Sequence, residues 1–151
     1  MLSKKAKYAI NALVYLAKNY KQGPVLIHDI SKHEHIPQKF LEAILLELKK
    51  DGMLNSKKGK GGGYYLIKSP EEVNMADVIR SMDGAIALLP CVAHKYYEPC
   101  EECKDELTCG IRAVFSEVRN DTVLLLKKST LANILDREEA LLKAKSKSRK
   151  K

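Results

Sequence analysis

Four cysteines, Cys91, Cys100, Cys103 and Cys109, fall in one short stretch with the spacing C-x8-C-x2-C-x5-C, and the rest of the chain contains none. Scattered cysteines act as small buried hydrophobes, whereas a cluster of four points to soft-ligand metal chemistry or to redox sensing. Structural zinc sites generally use two C-x2-C knuckles. Only one is present here, Cys100-Glu101-Glu102-Cys103, so a zinc ribbon fits poorly. Irregular spacing in a loop suits an iron–sulfur cluster better, as thiolates are the ligands that hold one. Reversible disulfide formation, between Cys100 and Cys103 or another pair, is the cluster-free alternative. His94 is a further candidate ligand, set against the plainer reading of a solvated surface histidine. The neighbouring acids Glu98, Glu101, Glu102, Asp105 and Glu106 are expected to raise the thiol pKa values and so to favour a bound cation or cluster over a free reactive thiol.

The elements that must position this group differ sharply in charge. Residues 1–68 carry a net +8, residues 69–140 a net −6 and residues 141–151 a net +6. A basic first part joined to an acidic middle fits a nucleic-acid-binding module that carries a separate sensing region. No run approaches the roughly 20 apolar residues needed to span a bilayer. The opening residues also lack the pattern of a signal peptide. A cytoplasmic chain with reduced thiols is therefore expected, with no membrane partner.

The first part reads as helix, short helix, turn, helix. Lys5 to about Tyr20 repeats Ala9, Ala12, Leu13, Leu16 and Ala17 at helical spacing, and Gly23-Pro24 ends it. Residues 28–33 form a short second helix that carries Ile30 inward. Pro37 is expected in the first turn of a third helix, which runs to about Lys50 and buries Leu41, Ile44, Leu45 and Leu48. Its other face offers Gln38, Lys39, Glu42 and Lys49. This order is that of a helix-turn-helix, whose last helix enters the DNA major groove.

Two short strands follow, at residues 53–58 and 64–68, around Gly59-Lys60-Gly61-Gly62-Gly63. Lys57, Lys58 and Lys60 place cations on this glycine-rich tip, where the backbone of Gly61 and Gly62 can approach a ligand closely. A nucleotide phosphate loop is disfavoured, because no Lys-Ser/Thr pair follows and a strand comes next. The fold class expected is mainly α with a small β wing: a winged helix-turn-helix plus a long dimerisation helix.

Lys7-Tyr8-Ala9-Ile10-Asn11-Ala12-Leu13, Phe40-Leu41-Glu42-Ala43-Ile44-Leu45 and above all Lys58-Gly59-Lys60-Gly61-Gly62-Gly63-Tyr64 carry a specific likeness. With the downstream cysteines, they resemble the Rrf-two family of winged-helix transcriptional regulators, from Met1 to about Leu135. That family includes the bacterial iron–sulfur cluster regulator and the nitric-oxide-sensing repressor. The resemblance implies a homodimer on a palindromic double-stranded DNA operator. It also implies an iron–sulfur cluster, 2Fe–2S or 4Fe–4S, held by three loop cysteines of which the last two are separated by five residues. Cys91, Cys103 and Cys109 match that set. Cys100 is extra, as a fourth ligand or a replacement for Cys103. Where some relatives place a histidine ligand this chain has Arg112, and where others place an acid it has Lys7, so neither carries over.

Four regions are expected: a DNA-binding domain over 1–84, a sensor loop over 85–110, a dimerisation helix and short terminal helix over 111–136, and a basic, disordered tail over 137–151. Within them, Asn74 should cap a helix over 75–82. From Ile111 to about Lys128, Ile111, Val114, Phe115 and Val118 form a stripe, while Val123 to Leu126 are apolar on every side. Such a helix must be covered all round, by a second subunit or by the rest of the chain. Gln38, Lys39 and Glu42 are the candidate base readers, with Lys57, Lys58 and Lys60 on phosphate or the minor groove. Tyr8 and Phe40 read as packing residues. An iron–sulfur carrier would need no basic wing, and no catalytic triad, carboxylate pair or nucleotide motif indicates an enzyme.

Overall fold

A computed structural model describes residues 2–148. Six α-helices and one two-stranded sheet follow in the order α1 (Lys4–Lys18), α2 (Ile27–Glu34), α3 (Gln38–Lys50), β1 (Leu54–Lys57), β2 (Gly63–Leu66), α4 (Met75–Asp83), α5 (Gly110–Lys128) and α6 (Leu131–Ser148). This is the mainly helical winged helix-turn-helix that the sequence predicts.

Helix α1 is the centre of the core. It buries Ala6, Ala9, Ala12 and Ala17, small residues that let neighbouring helices approach closely, together with the larger Leu13 and Leu16. The Ser3 hydroxyl accepts the Ala6 amide at 2.9 Å and so satisfies one free donor of the first turn. Ser3 is itself held by Asp83 at the end of α4, its own amide donating to that carboxylate at 2.9 Å. Ile30 of α2 and Leu41, Ile44, Leu45 and Leu48 of α3 close over α1 from one side.

The turn between α2 and α3 is set locally. His35 takes the left-handed conformation, φ 52°, that ends α2. The Ile36 amide donates to the Ser31 carbonyl at 3.0 Å, and the Ser31 hydroxyl donates to the Ile36 carbonyl at 2.6 Å. Pro37 sits at the N-cap position, one residue ahead of the first-turn place expected of it. Its carbonyl begins α3 by accepting the Phe40 and Leu41 amides.

Strands β1 and β2 pair antiparallel, Leu54 opposite Leu66 and Lys57 opposite Gly63. The hairpin is not free-standing. The Val25 amide donates to the Tyr64 carbonyl at 2.8 Å, and the Tyr64 amide returns a bond to the Val25 carbonyl at 2.7 Å. This clamp requires Gly63: a Cβ there would lie 2.3 Å from the Val25 carbonyl oxygen, and its φ of +142° is one few other residues adopt.

Asn74 caps α4 as expected, accepting the Asp77 amide at 3.1 Å. After the cysteine-containing loop and α5, the chain returns to the first core. Leu131 is fully buried, its amide donates to the Val73 carbonyl at 3.0 Å, and Lys18 pairs with Glu138 at 2.7 Å. The regions 1–84 and 111–136 therefore share one core, because the start of α6 completes it.

The expected disordered tail is corrected over the described residues, since α6 continues to Ser148. Residues 131–148 contain no glycine or proline to stop a helix, and they are rich in Ala, Leu, Glu and Lys, all good helix formers. Glu139 and Lys143, four apart, are paired on this segment. The last residues of the tail, 149–151, lie outside the described ones.

Candidate metal centre and DNA-facing surface

Between α4 and α5 the chain is irregular apart from a 3₁₀ turn at Pro90–Val92. That turn holds Cys91 against the protein body, where it is buried, while Cys100, Cys103 and Cys109 are half-buried. All four cysteines line one cavity of about 150 Å³, with Leu89, Ile111 and Arg112 in its wall. The loop thus gathers residues up to eighteen positions apart into a single site.

Cys109 is also the N-cap of α5. Its sulfur accepts the Arg112 amide at 3.4 Å, so one thiol both faces the cavity and begins the helix. That amide bond, a hydrogen bond from Cys103, the Ile111 amide and the Arg112 charge hold the Cys109 thiol below its ordinary pKa. Cys103 moves the opposite way, raised by partial burial first and then by its bond and proximity to Cys109. No surrounding carboxylate is among the causes at these two thiols; the rise expected from the acids is seen at Cys103 alone of the pair, and there it comes from burial and the neighbouring thiol. Glu102 receives the Cys100 thiol at 3.4 Å, whereas Glu106 is occupied by Tyr97 and Arg112.

Arg112, at the place where a histidine ligand was considered, has a different task. Its Nε donates to the Cys91 carbonyl at 3.3 Å and lies 3.7 Å from Glu106. It ties the 3₁₀ turn to α5, a role that only the folded loop reveals. His94 lines a separate cavity, away from the cysteines.

The four thiols fit an iron–sulfur group by donor chemistry and by sharing one cavity. Among the described residues, no three Cys, His, Asp or Glu side chains are already arranged closely enough to hold a metal ion.

On the DNA-binding half, Gln38, Lys39 and Glu42 are all exposed, at the start of α3. Tyr8 packs edge-on against Phe40, ring centres 5.8 Å apart, which fixes that helix start against α1. Lys57, Lys58, Lys60 and Gly61 are exposed along the wing. Gly62 is not: it is buried, its amide donates to the Gly59 carbonyl at 3.0 Å, and a Cβ would lie 2.3 Å from the Lys57 carbonyl oxygen. Its role is to close the tip rather than to offer its backbone to a phosphate.

A model of the Rrf2 family, described as iron-dependent transcriptional regulator, matches residues 2–137. An rrf2-like HTH-type transcriptional regulator of Rhodobacter capsulatus is 40% identical over 138 residues, covering 89% of this chain and 92% of the relative. The HTH-type transcriptional regulator IscR of Escherichia coli is 28% identical over 140 residues, covering 93% of this chain and 83% of its own length. Among solved structures, T. potens IscR superposes with a TM-score of 0.70 at 27% identity, covering 93% of this chain and 90% of that one. CymR, the global cysteine regulator of B. subtilis, shares the fold with a TM-score of 0.75 at 23% identity over 91% of this chain and 97% of its own.

Proposed function

This chain belongs to the Rrf2 family of transcriptional regulators, and on that premise we propose that it is a homodimeric regulator whose grip on a palindromic operator depends on an iron–sulfur group held by Cys91, Cys100, Cys103 and Cys109. The observation that carries the reading is Cys109, which lines the thiol cavity and caps α5 with the same sulfur. When bound, the group would supply redox and ligand-exchange chemistry at the thiolates. Cys91, Cys103 and Cys109 would be the main donors and Cys100 the fourth. Arg112 keeps Cys91 and the start of α5 together and places a positive charge beside the sulfurs.

Dimerisation is supported by α5. None of its residues is buried, and Ile111, Val114, Val118 and Leu125 are 65%, 57%, 41% and 64% exposed. Ile111, Val118 and Leu125 are seven apart and Val114 falls between two of them, the spacing of a helix–helix seam. Phe115, Val123 and Leu126 face inward and are half-buried. Cover from within the chain, the other possibility for this helix, is thus missing on the seam side. A second α5 across a twofold axis would supply it and would present two α3 helices to successive major grooves.

In that arrangement Gln38, Lys39 and Glu42 read base edges, with Gln suited to adenine and Glu to the cytosine amino group. Lys57, Lys58 and Lys60 bind phosphate or the minor groove, with Gly61 at the tip. A cytoplasmic setting, which keeps thiols reduced, suits both halves of the reading.

Anaerobic purification tests it. The protein should be coloured and contain iron and sulfide in amounts that separate a 2Fe–2S from a 4Fe–4S group, and Cys103→Ala should lose them while remaining folded. A colourless, iron-free anaerobic protein with full operator binding would contradict the proposal. Cys103 and Cys109 share one cavity and the Cys109 thiol is held below its ordinary pKa, which favours a second reading, a thiol-only switch. That reading is selected if operator binding responds to oxidant in iron-free protein and the response disappears in Cys109→Ser.

A further inference from the structure

A second cavity, also about 150 Å³, lies between the end of α4, the loop just after it and the middle of α5. Four basic side chains line it, Arg80, His94, Lys95 and Arg119, against an apolar wall that includes Ile86 and Val123. Among the described residues, no carboxylate lines it. Arg80 has one ion pair there, with Asp77 on its own helix at 3.5 Å, and both side chains of that pair are exposed. Lys95 rests over the Tyr96 ring, 5.2 Å from its centre. The Nε of Arg119 is buried and has no hydrogen-bond partner among the described residues.

A buried guanidinium donor left unpaired is costly, and three gathered cations with no counter-charge in the cavity wall repel one another. A planar or tetrahedral anion relieves both: it accepts the Arg119 donor, matches guanidinium geometry and neutralises the group. The volume is below the roughly 300–1,000 Å³ of pockets for drug-sized ligands, which restricts the occupant to a small species. We infer that this cavity is a binding site for a small anion, an oxoanion or a short carboxylate, joining the DNA-binding half at Arg80 to α5 at Arg119.

The position gives the anion a regulatory path. Arg80 is in the last turn of α4, and that same end is fastened to the cap of α1 through Asp83 and Ser3. His94 and Lys95 directly follow the turn that holds Cys91. An anion bound here braces α4, the loop and α5 together. The site uses none of the cysteines, so it stands or falls independently of the iron–sulfur group.

The test uses the full-length protein and three probes, inorganic phosphate, sulfate and acetate, each titrated against chloride at matched ionic strength by calorimetry and thermal unfolding. The wild type should show saturable binding and a rise in Tm with at least one probe. Response to phosphate or sulfate alone identifies an oxoanion site, and response to acetate a carboxylate site. Arg119→Gln should weaken that binding by about tenfold or more, the loss of one charge-assisted pairing. Lys58→Ala with Lys60→Ala should leave it unchanged, which separates the cavity from nonspecific attraction to the wing. If Arg119→Gln does not fold, the exposed Lys95→Gln is the second variant, expected to weaken binding several-fold. Absence of saturable binding, or equal binding by wild type and the cavity variants, overturns the inference. So does an anion-insensitive wild type whose dimer is weakened by Arg119→Gln, because a carboxylate of the second subunit would then be the natural occupant.

Discussion

Helices α1 and α5 are both strongly apolar, yet they end in opposite circumstances. Seven residues of α1 are buried and the helix is surrounded by α2, α3, α4 and the start of α6. No residue of α5 is buried, although it is longer and carries Ile111, Val114, Val118, Leu124 and Leu125 in exposed positions. The difference shows that an apolar helix is not evidence of a core. It is evidence that something must cover it, and the rest of the chain covers α1 but leaves the seam of α5 open.

The largest effect should come from breaking that contrast. Replacing Val118 and Leu125 together by Glu puts two charges on the seam; with α5 as the proposed dimer interface, the variant should sediment as a monomer, with operator affinity down on the order of 100-fold as the linked half-sites are lost. Far-ultraviolet dichroism should change little. A variant that remains dimeric would show that α5 is not the interface.

Next in size is the core side of the comparison. Leu45→Ala, at a fully buried position, should cost about 2–5 kcal/mol in urea unfolding. Val114→Ala, on the exposed seam and measured in the Val118→Glu, Leu125→Glu background, should stay within about 0.5 kcal/mol. Equal costs at the two sites would mean that α5 is packed within its own chain after all.

A smaller effect separates the wing from its clamp. Lys58→Ala with Lys60→Ala should leave stability unchanged and lower the salt slope of operator binding by about 2, since each phosphate no longer neutralised removes about 0.9. Gly63→Ala should instead destabilise by about 1–3 kcal/mol, because its Cβ collides with Val25 and its backbone is strained. A wing variant with unaltered salt dependence would remove these lysines from the interface.

The smallest change belongs to the exposed end of α6. Lys143 holds Glu139 below its usual pKa, so the pair supports the helix while Glu139 is charged and its support is lost as pH falls through that lowered value. Lys143→Ala should show slightly lower helicity by dichroism at neutral pH and should lack this part of the loss on acidification. A profile identical to wild type would assign the helical end to intrinsic propensity alone.

Local chemistry made much of this legible in advance. The apolar spacing of α3, the glycine-rich tip, the Asn74 cap and the position of α5 all depend on neighbours within a few residues, and the helices and strands appear close to where that spacing puts them. Misreadings arose where the path of the folded backbone, and not residue type, decides. Gly62 resembles the other tip glycines in sequence, but the closing of the hairpin buries it. The segment after Leu135 reads as a charged tail, whereas helix propensity and its continuation from the anchored Leu131 extend α6 to Ser148.

The sequence by itself determined the winged helix and the presence of a four-thiol group, because periodicity, turn residues and donor types are properties of short stretches, and its glycine-rich tip motif carried the likeness to the family. Only the tertiary structure decided that those thiols face one cavity, that Cys109 caps α5, that Val25 clamps the wing and that Arg119 meets Arg80 in a second, basic cavity. Each of those depends on residues brought together across a loop or a core, and spacing along the chain carries no record of which distant groups the packing will make neighbours.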